Sequence, residues 1–549
     1  MELGNPNTLP ATGGNHVSET TCVVGTGYRK KRKPNCNGLD RGSKFALTLK
    51  GADVRLTNHD ELEVKSMNVK CSTTLTSEDS TDRELARQWN HFPWDKAHLY
   101  VNRLQTRIAK AVKEGKTRLA KRLQYILTHS YFAKALAVKK VTENKGKRTA
   151  GVDGVRWSTP AERMRAAFSL IDKGYKAKPL ARIYIPKPNS DKMRPLSIPT
   201  FYDRAMQALY ALALQPWAET TADITSFGFR LHKCAQDATA YLFICLSKDN
   251  SAKYVLEGDI RGFFDNIPHE WLLENIPMDK KILAEFLKAG YIHEGVYHSA
   301  TMGVAQGGII SPILANMALD GMKTLLENQF KNKKVNLVRY ADDWVITAES
   351  REVAEQVKAA VERFLAERGL SLSEEKTKIV HIDEGFDFLS WNFRKYSGKL
   401  LIKPSKKAVS TITRTISDII SHSKSASQKV LIDKLNPVIR GWSLYHRNVV
   451  SAKTFSSLDY AVWELLWQWA KRRHPDKGHR WIVRRYWHSV DNSNWTFTNF
   501  VSTLIRFSDT KIRRHILVQL KRNPFLDQEY FSARHGDYVT RQTTVYSFF

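Results

Sequence analysis

Two adjacent aspartates, Asp342 and Asp343, interrupt a run of apolar, β-prone residues that extends from Leu337 to Thr347. This pattern predicts a strand, a tight turn and a second strand. Neighbouring carboxylates in a buried hairpin are costly, because like charges repel and the loss of water increases the penalty. The pair therefore indicates a cation beside the turn, unless it is simply a polar hairpin tip, which is common.

A third acid, Asp259, ends a short strand predicted over residues 254–259 and precedes a turn and two aromatic residues, Phe263 and Phe264. Mg²⁺ takes oxygen ligands, commonly one or two carboxylates together with substrate phosphates. Two such ions about 3.5 to 4 Å apart can activate an attacking hydroxyl and stabilise a leaving oxygen. The acids thus suit phosphoryl transfer, although Asp259 alone could be an ordinary strand-end residue.

The chain is strongly basic, with 86 Lys and Arg against 55 Asp and Glu among 549 residues, a net charge of +31. Such an excess favours a polyanionic partner, either nucleic acid or a membrane surface. No run reaches the roughly 18 apolar residues of a membrane-spanning helix. Nucleic acid is therefore the predicted partner, and we expect no membrane partner.

The cysteines give a weaker indication of the compartment. Five are present without a close pair, which favours neither a disulfide framework nor a zinc site and indicates a reducing environment. The N-terminus has neither a secretory pattern nor an Arg-rich amphipathic presequence. These features favour the cytoplasm without settling the host.

Charge and composition divide the chain into segments. Residues 1–85 are rich in Gly, Asn, Ser and Thr without a sustained period, and we expect a disordered extension. Residues 86–402 alternate helical and extended patterns, including two basic amphipathic helices over Trp94–Val141, and predict an α+β fold. Residues 403–549 carry 25 Lys and Arg against 10 Asp and Glu and look helical up to about residue 490.

A series of ordered motifs between Trp89 and Trp495 resembles the reverse transcriptases encoded within group II introns. The resemblance implies a right-hand polymerase, with fingers and palm over 86–402, an α-helical thumb or maturase domain over 403–490, and a possible remnant of a DNA-binding segment over 491–549. The motifs are Ile185–Lys187, Arg194–Pro199, Asp203–Arg204, Gly228–Arg230, Asp259–Asp265, Gln306–Pro312, Tyr340–Asp343, Leu372–Thr377 and Phe388–Trp391.

The resemblance also implies roles for the acids. Asp259 and Asp342 match the carboxylates that bridge two Mg²⁺ ions, and Asp343 supports the second ion. The backbone carbonyl of Ile260 is a further implied ligand. Phe264 matches the aromatic that crowds the sugar 2′ position and so favours deoxynucleotides, with a plain core aromatic as the alternative.

Further residues match the nucleotide-binding positions of the family. Lys187 and Arg194 resemble the basic pair that closes on the incoming triphosphate, a task that suits an arginine fork and a mobile lysine charge. Gln306 resembles the loop residue near nucleotide and template, and Lys376 a palm lysine near the primer or triphosphate. Each basic residue could instead be surface charge or structural. Val304-Ala305 departs from the family pattern, in which proline precedes the glutamine, and this puts the loop's position in doubt.

The basic C-terminal third is predicted to hold RNA or an RNA–DNA duplex by shape and phosphate. Arg440-Gly441-Trp442 resembles the thumb signature of the same family, while Trp463, Trp467 and Trp469 are predicted as a core stripe. Solvation is the alternative for each basic side chain. The candidate nucleic-acid contacts are Arg440, Lys471, Arg472, Arg473, Arg484 and Arg485.

The predicted function is that of an RNA-directed DNA polymerase that also binds its intron RNA as a splicing maturase and supports retrohoming. Its partners would be intron RNA, an RNA template with a DNA primer, deoxynucleoside triphosphates and target DNA. The alternatives are a splicing cofactor without polymerisation and a reverse transcriptase recruited to host defence. No cysteine follows Cys245, so we expect no zinc-bound His-Asn-His nuclease. The predicted location is the bacterial cytoplasm, or an organellar matrix or stroma in a eukaryotic host.

Overall fold

The computed structural model describes residues 78–186, 193–490 and 493–541. Helices and strands are mixed throughout, which confirms the predicted α+β class. Among these residues no helix is both long and apolar enough to cross a membrane. Lys187, the predicted triphosphate ligand, lies outside the described residues.

The secondary structure elements are numbered in chain order over the described residues. The helices are α1 (Glu78–Asn90), α2 (Trp94–Lys113), α3 (Thr117–His129), α4 (Tyr131–Glu143), α5 (Pro160–Ser169), α6 (Phe201–Thr221), α7 (Ala235–Leu246), α8 (Phe263–Asn266), α9 (His269–Asn275), α10 (Lys280–Lys288), α11 (Ser311–Leu319), α12 (Met322–Gln329), α13 (Arg351–Ala366), α14 (Lys406–Ser421), α15 (Gln428–His446), α16 (Ala452–Arg473), α17 (His479–Tyr486) and α18 (Gln528–Arg541). The strands are β1 (Leu180–Pro186), β2 (Met193–Ile198), β3 (Tyr254–Gly258), β4 (Tyr291–His293), β5 (Val296–His298), β6 (Asn336–Tyr340), β7 (Asp343–Ala348), β8 (Lys378–His381), β9 (Phe386–Phe388), β10 (Trp391–Tyr396), β11 (Lys399–Pro404), β12 (Trp487–Val490) and β13 (Ser493–Phe497).

Helices α1 to α5 and the sheet β2-β1-β4-β5 form the predicted fingers. Their apolar faces share one core with the long helix α6, which begins where Thr200 accepts a hydrogen bond from the backbone N–H of Asp203. Between Trp94 and Val141 the structure has three helices instead of the predicted two. The additional helix begins because Ser130 caps it, accepting from the backbone N–H of Ala133.

The palm sheet has the order β6-β7-β3-β8 and is antiparallel throughout. Successive side chains of its central strands enter two different cores, one on each face, as strand geometry requires. Both faces of the palm sheet are therefore buried, which explains the nearly continuous apolar sequence of these strands. One core takes Leu256, Leu337, Trp344 and Ile346, and the other takes Val255, Val338 and Val345.

The predicted thumb is a helical domain with its own core. Helices α14 to α17 and the β12–β13 hairpin enclose this core, and the caps Ser405 and Ser427 start the first two of them. The predicted boundary at residue 490 is wrong, because it divides the hairpin: Trp487 and Phe497 pack in the same core with ring centroids 5.2 Å apart. A two-stranded hairpin needs such support, since it is marginal in water alone.

The predicted boundary at residue 85 also falls inside an element. Helix α1 covers Glu78–Asn90, and its Asp82 accepts a hydrogen bond from Arg165 of α5. The polar sequence of its first two turns resembles that of a disordered segment, which explains the error. The rest of the predicted extension, residues 1–77, lies outside the described residues.

Residues 510–534, which we name the strap, leave the thumb and run back along the palm and fingers. The strap donates from Arg513 N to Arg447 O (2.9 Å) and from Val518 N to Asp237 Oδ1 (2.9 Å). Near its end, Asn523 Nδ2 donates to Thr220 Oγ1 at 3.0 Å. The segment predicted as a DNA-binding remnant is thus packed against the polymerase part of the fold.

Candidate active site

Three carboxylates meet at one end of the palm sheet. Asp259 directly follows β3 and Asp343 opens β7, and these strands pair with Gly258 opposite Trp344. That register places Asp259 beside Asp343, while Asp342 precedes Asp343 in the hairpin turn. All three line one cleft of ≈ 2170 Å³. The fold therefore brings together the acids that lie far apart in the sequence.

The turn that carries Asp342 is short and strained. Only Ala341 and Asp342 connect β6 to β7, and Ala341 has a φ of +58°, a region that side chains other than glycine rarely adopt. Neighbouring backbone wedges the turn in place: a Cβ at Gly228 would lie 2.4 Å from the Ala341 nitrogen, so only glycine fits there. The position of Asp342 is thus imposed by its surroundings.

A buried ionic network lies beneath this turn. Arg339 on β6 is fully buried and donates to Asp320 Oδ1 and, at 3.1 Å, to Asn316 Oδ1. Asn316 Nδ2 in turn donates to the carbonyl of Gly228 at 2.9 Å. The strand before Asp342 is therefore fixed to the end of α11 and to the loop that wedges the turn. Sequence reasoning missed this arginine, although a charge inside an apolar strand was an available signal.

The electrostatics of the acidic cluster favour a bound cation. Desolvation in the cleft raises the pKa of Asp343 to about 6, and the negative charges of Asp342 and Asp259 add to the effect. Desolvation likewise raises the pKa of Asp342, and Asp259 contributes there too. Because ionised carboxylates repel one another here, a divalent ion would relieve the repulsion.

Lys376 supplies part of the compensating charge. Its Nζ lies 2.6 Å from Asp259 Oδ2, and this hydrogen bond raises the pKa of the lysine. The loop that carries Lys376 is tied to the segment after β3 by two backbone hydrogen bonds, from Ser373 N to Asp259 O (2.8 Å) and from Arg261 N to Ser371 O (3.0 Å). These backbone hydrogen bonds thus hold the loop of Lys376 beside Asp259.

Ile260 lines the cleft together with the acids. Ile260 forms an isolated antiparallel bridge with Leu372, framed by the two backbone hydrogen bonds just described. In such a non-hydrogen-bonded pair, each residue's own N–H and C=O point away from the partner strand. Since β3 lies between β7 and β8, the Ile260 carbonyl points toward the side on which Asp343 lies.

Two predicted nucleotide-binding residues line the same cleft. Arg194 on β2 is exposed, and its charge acts on Asp342 and Asp343 across the cleft. Phe264, in the short helix α8, is half-buried, and its carbonyl accepts from Val304 N at 2.7 Å. A cationic side chain and an aromatic ring thus border the carboxylates.

The loop with Gln306 is fixed against β2. The Gln306 carbonyl accepts from Ser197 N at 2.7 Å, and Gly307 has a φ of +113° with its Cβ position 2.7 Å from Ser197 O, so the close approach requires glycine. Despite the absence of proline at Ala305, that residue's carbonyl accepts from Gly308 N at 3.2 Å. Backbone contacts therefore hold the loop that the sequence left in doubt.

The basic residues predicted in the thumb lie elsewhere. All six are exposed, but none lines the cleft. Arg473 has a structural role, because its Nη1 donates to Lys424 O (2.7 Å) and Ala426 O (3.0 Å) while its guanidinium lies 4.7 Å from the Trp469 ring. The lining of the cleft instead includes Arg513 and Arg514 of the strap. No sequence signal marked these two, since only the tertiary path of the strap brings them there.

Three family models match the chain in succession. The N-terminal domain of reverse transcriptase matches residues 89–170, the reverse transcriptase (RNA-dependent DNA polymerase) matches 185–393, and the group II intron maturase-specific domain matches 409–487. The second match contains the three acids. The chain belongs to the reverse transcriptases that carry a group II intron maturase domain. The helical domain of this reverse transcriptase contains the matched maturase region.

Curated relatives of this reverse transcriptase are intron-encoded and bacterial proteins. Group II intron-encoded protein LtrA of Lactococcus lactis subsp. cremoris is 30% identical over 54% of this chain and 61% of its own length. Protein YkfC of Escherichia coli is 27% identical over 61% of this chain and 98% of its own length. Maturase-like protein 1 of Euglena gracilis is 23% identical over 65% of this chain and 77% of its own length. The chain thus spans less than two thirds of LtrA.

Proposed function

We propose that this reverse transcriptase synthesises DNA on an RNA template at the site formed by Asp259, Asp342 and Asp343. The observation that carries the proposal is the convergence of these carboxylates with Lys376 and Arg194 on one cleft. Acids that bind metal and bases that bind phosphate are the two requirements of nucleotidyl transfer.

The donor set suits two Mg²⁺ ions. Asp259, Asp342 and Asp343 offer hard oxygen ligands, as does the Ile260 carbonyl. Desolvation, with repulsion from the neighbouring carboxylates, raises the pKa of Asp342 and of Asp343, and a bound cation would offset both effects. These residues would hold the ions, whose chemistry would be to activate the primer 3′-hydroxyl and to neutralise the leaving pyrophosphate. The protein's part is to hold the oxygens in place, through the wedged turn and the Arg339 network.

The surrounding residues would hold the nucleotide. Arg194 lines the cleft with the acids and suits the triphosphate through its guanidinium fork, and we assign Lys187, which precedes Arg194 in the sequence, to the same task. Phe264 would lie against the sugar and exclude a 2′-hydroxyl. The fixed backbone at Gln306 and Gly307 would border the base and the template. Lys376 would move between Asp259 and the triphosphate.

A second function, intron RNA binding in support of splicing, is favoured by the maturase-specific match over residues 409–487. Arg440, Lys471, Arg472, Arg484 and Arg485 are exposed on this domain and suit phosphate contacts. We infer that the protein binds its parent intron RNA and, in retrohoming, target DNA. The location we propose is the bacterial cytoplasm, or an organellar matrix or stroma.

Primer extension tests the polymerase proposal. Wild-type protein, Asp342→Ala and the control Glu374→Ala, an exposed acid that does not line the cleft, are given an RNA template, a DNA primer, deoxynucleotides and Mg²⁺. Loss of a metal-holding carboxylate should slow nucleotide addition at least about 10³-fold, equivalent to about 4 kcal/mol. The control should match wild type. Equal rates for Asp342→Ala and wild type would falsify the assignment.

The same variants separate the two functions. Asp342→Ala should retain intron RNA binding and splicing, because the basic thumb surface does not depend on the acids. Loss of RNA binding by Asp342→Ala would show instead that the two activities share one site.

A further inference from the structure

The strap connects all three parts of the polymerase. At its start, Thr510 Oγ1 donates to Ser443 Oγ of the thumb at 2.8 Å. Its middle is bound to the palm at Asp237, and near its end the carbonyl of Phe525 accepts from Thr106 Oγ1 of the fingers at 3.1 Å. A segment held at both ends and in the middle has a defined position beside the cleft.

Asp237 is the central anchor of the strap. This fully buried carboxylate accepts from His515 Nε2 (2.8 Å), Val518 N (2.9 Å) and Arg534 Nη2 (3.2 Å), and from the backbone N–H of Cys234 (3.0 Å). Although Cys234, Asp237 and His515 lie within 4.8 Å of one another, the guanidinium of Arg534 already neutralises the carboxylate. The cluster is therefore an ionic anchor for the strap and not a metal centre.

The anchored strap turns cations toward the cleft. Arg513, Arg514 and Ile516 line the same cleft as the catalytic acids, and all three are exposed. The exposed fraction of Ile516 is 62%. The guanidinium of Arg514 lies 5.9 Å from the centroid of the Phe243 ring. Two other strap cations, Lys511 and Lys521, are also exposed but do not line the cleft. The strap thus presents positive charge on two distinct sides.

We propose that the strap forms part of the wall of the active cleft and that Arg513 and Arg514 bind the sugar–phosphate backbone of the template–primer duplex. This inference rests on the proposed polymerase function, because it is that function which places a duplex in the cleft. Guanidinium groups bind phosphates strongly and without sequence preference. Ile516, which lines the same cleft, would contact sugars.

The test compares two double variants of the full chain that lose the same charge. Arg513→Ala/Arg514→Ala removes the cleft-facing pair, and Lys511→Ala/Lys521→Ala removes the outward pair. Affinity for a fluorescent RNA template–DNA primer is measured by anisotropy at several salt concentrations. Single-nucleotide addition is then measured with saturating template–primer.

The cleft-facing variant should bind template–primer about tenfold more weakly, and the log–log slope of its affinity against salt should fall by about one unit for each phosphate that it no longer neutralises. The control should stay within about twofold of wild type. Nucleotide addition at saturating template–primer should be unchanged in the Lys511→Ala/Lys521→Ala control, because neither lysine lines the cleft. Equal affinity of the two variants, or a wild-type protein that does not bind template–primer, would overturn the proposal.

The outcome also separates this inference from the polymerase assignment. If wild type binds template–primer but adds no nucleotide, and the cleft-facing variant alone binds weakly, the strap binds nucleic acid while the polymerase assignment fails. If wild type adds nucleotides and both variants bind equally, the polymerase assignment stands and the strap proposal fails.

Discussion

Lys376 and Asp259 form an ion pair of 2.6 Å across 117 residues of chain. The lysine side chain keeps 65% of its surface exposed, so the pair contributes little to the stability of the fold. Its position matters more: the ammonium also interacts electrostatically with Asp343 and Asp342, and so offsets part of the negative charge of all three acids. In the proposed reaction, this mobile cation would pair with the triphosphate when it binds and with Asp259 after it leaves.

Lys376→Ala should therefore reduce nucleotide addition and leave stability almost unchanged. A charge-assisted hydrogen bond contributes about 1.5–3 kcal/mol, which corresponds to about a tenfold to hundredfold loss of rate. Single-turnover kinetics and thermal melting measure the two effects. Lys376→Arg, which keeps the charge, should recover part of the rate. A rate equal to wild type in the alanine variant would contradict the proposed role.

Phe264→Ala should relax the choice of sugar. Phe264 lines the cleft with the three acids, and in the proposed site its removal would open room for a 2′-hydroxyl. Small shape differences of this kind are worth about 1–3 kcal/mol, or about 10- to 200-fold in discrimination. The ratio of deoxynucleotide to ribonucleotide addition measures the effect. Phe264→Tyr, which keeps the ring, should behave as wild type. An unchanged ratio in the alanine variant would show that Phe264 has only a packing role, for example against Phe263, whose ring centroid lies 5.5 Å from that of Phe264.

The sequence was sufficient to predict the hairpin that carries Asp342 and Asp343. Asp342 and Asp343 stood out because two adjacent charges interrupt an otherwise apolar run of strand-forming residues. The two strands end on either side of Ala341 and Asp342, as the predicted turn requires. The resemblance in motif order then identified Asp259 as their partner.

The path of the strap could not be read in the same way. Its cations, such as Arg513 and Lys511, are alike in sequence, and only the anchor at Asp237 decides which faces the cleft. Helix α1 was missed for a related reason. Its polar turns gain order from contact with α5, for example between Asp82 and Arg165, and not from an apolar stripe of their own.

The buried pair of Arg339 and Asp320 should be essential to stability. Asp320→Ala leaves the guanidinium buried without its charge partner, and breaking such a pair costs about 3–5 kcal/mol. The free energy of unfolding from urea titrations measures the loss. The double variant Arg339→Met/Asp320→Leu should lose less than the single variant, because no unpaired charge remains. A double variant less stable than Asp320→Ala would contradict this account.

His446 should make the stability of the thumb depend on pH. The ring is buried next to Trp442, 4.1 Å between centroids, and burial lowers its pKa to about 3 from an ordinary 6.5. Below pH 6.5, His446 binds a proton in the unfolded chain but stays neutral in the folded protein until the pH approaches 3. The stability is therefore complete above about pH 6.5 and falls as the pH drops toward 3, with about 2 kcal/mol lost by pH 5.

The variant His446→Phe tests this dependence, because it keeps an aromatic ring and cannot titrate. Unfolding by urea, followed by tryptophan fluorescence at pH 7.5 and pH 5, should show a smaller pH effect in the variant than in wild type by about 2 kcal/mol. Other groups titrate equally in both proteins and cancel in the comparison. The same pH effect in both would mean that His446 takes up its proton in the folded state, in spite of a buried Nδ1 that lacks a hydrogen-bond partner among the described residues.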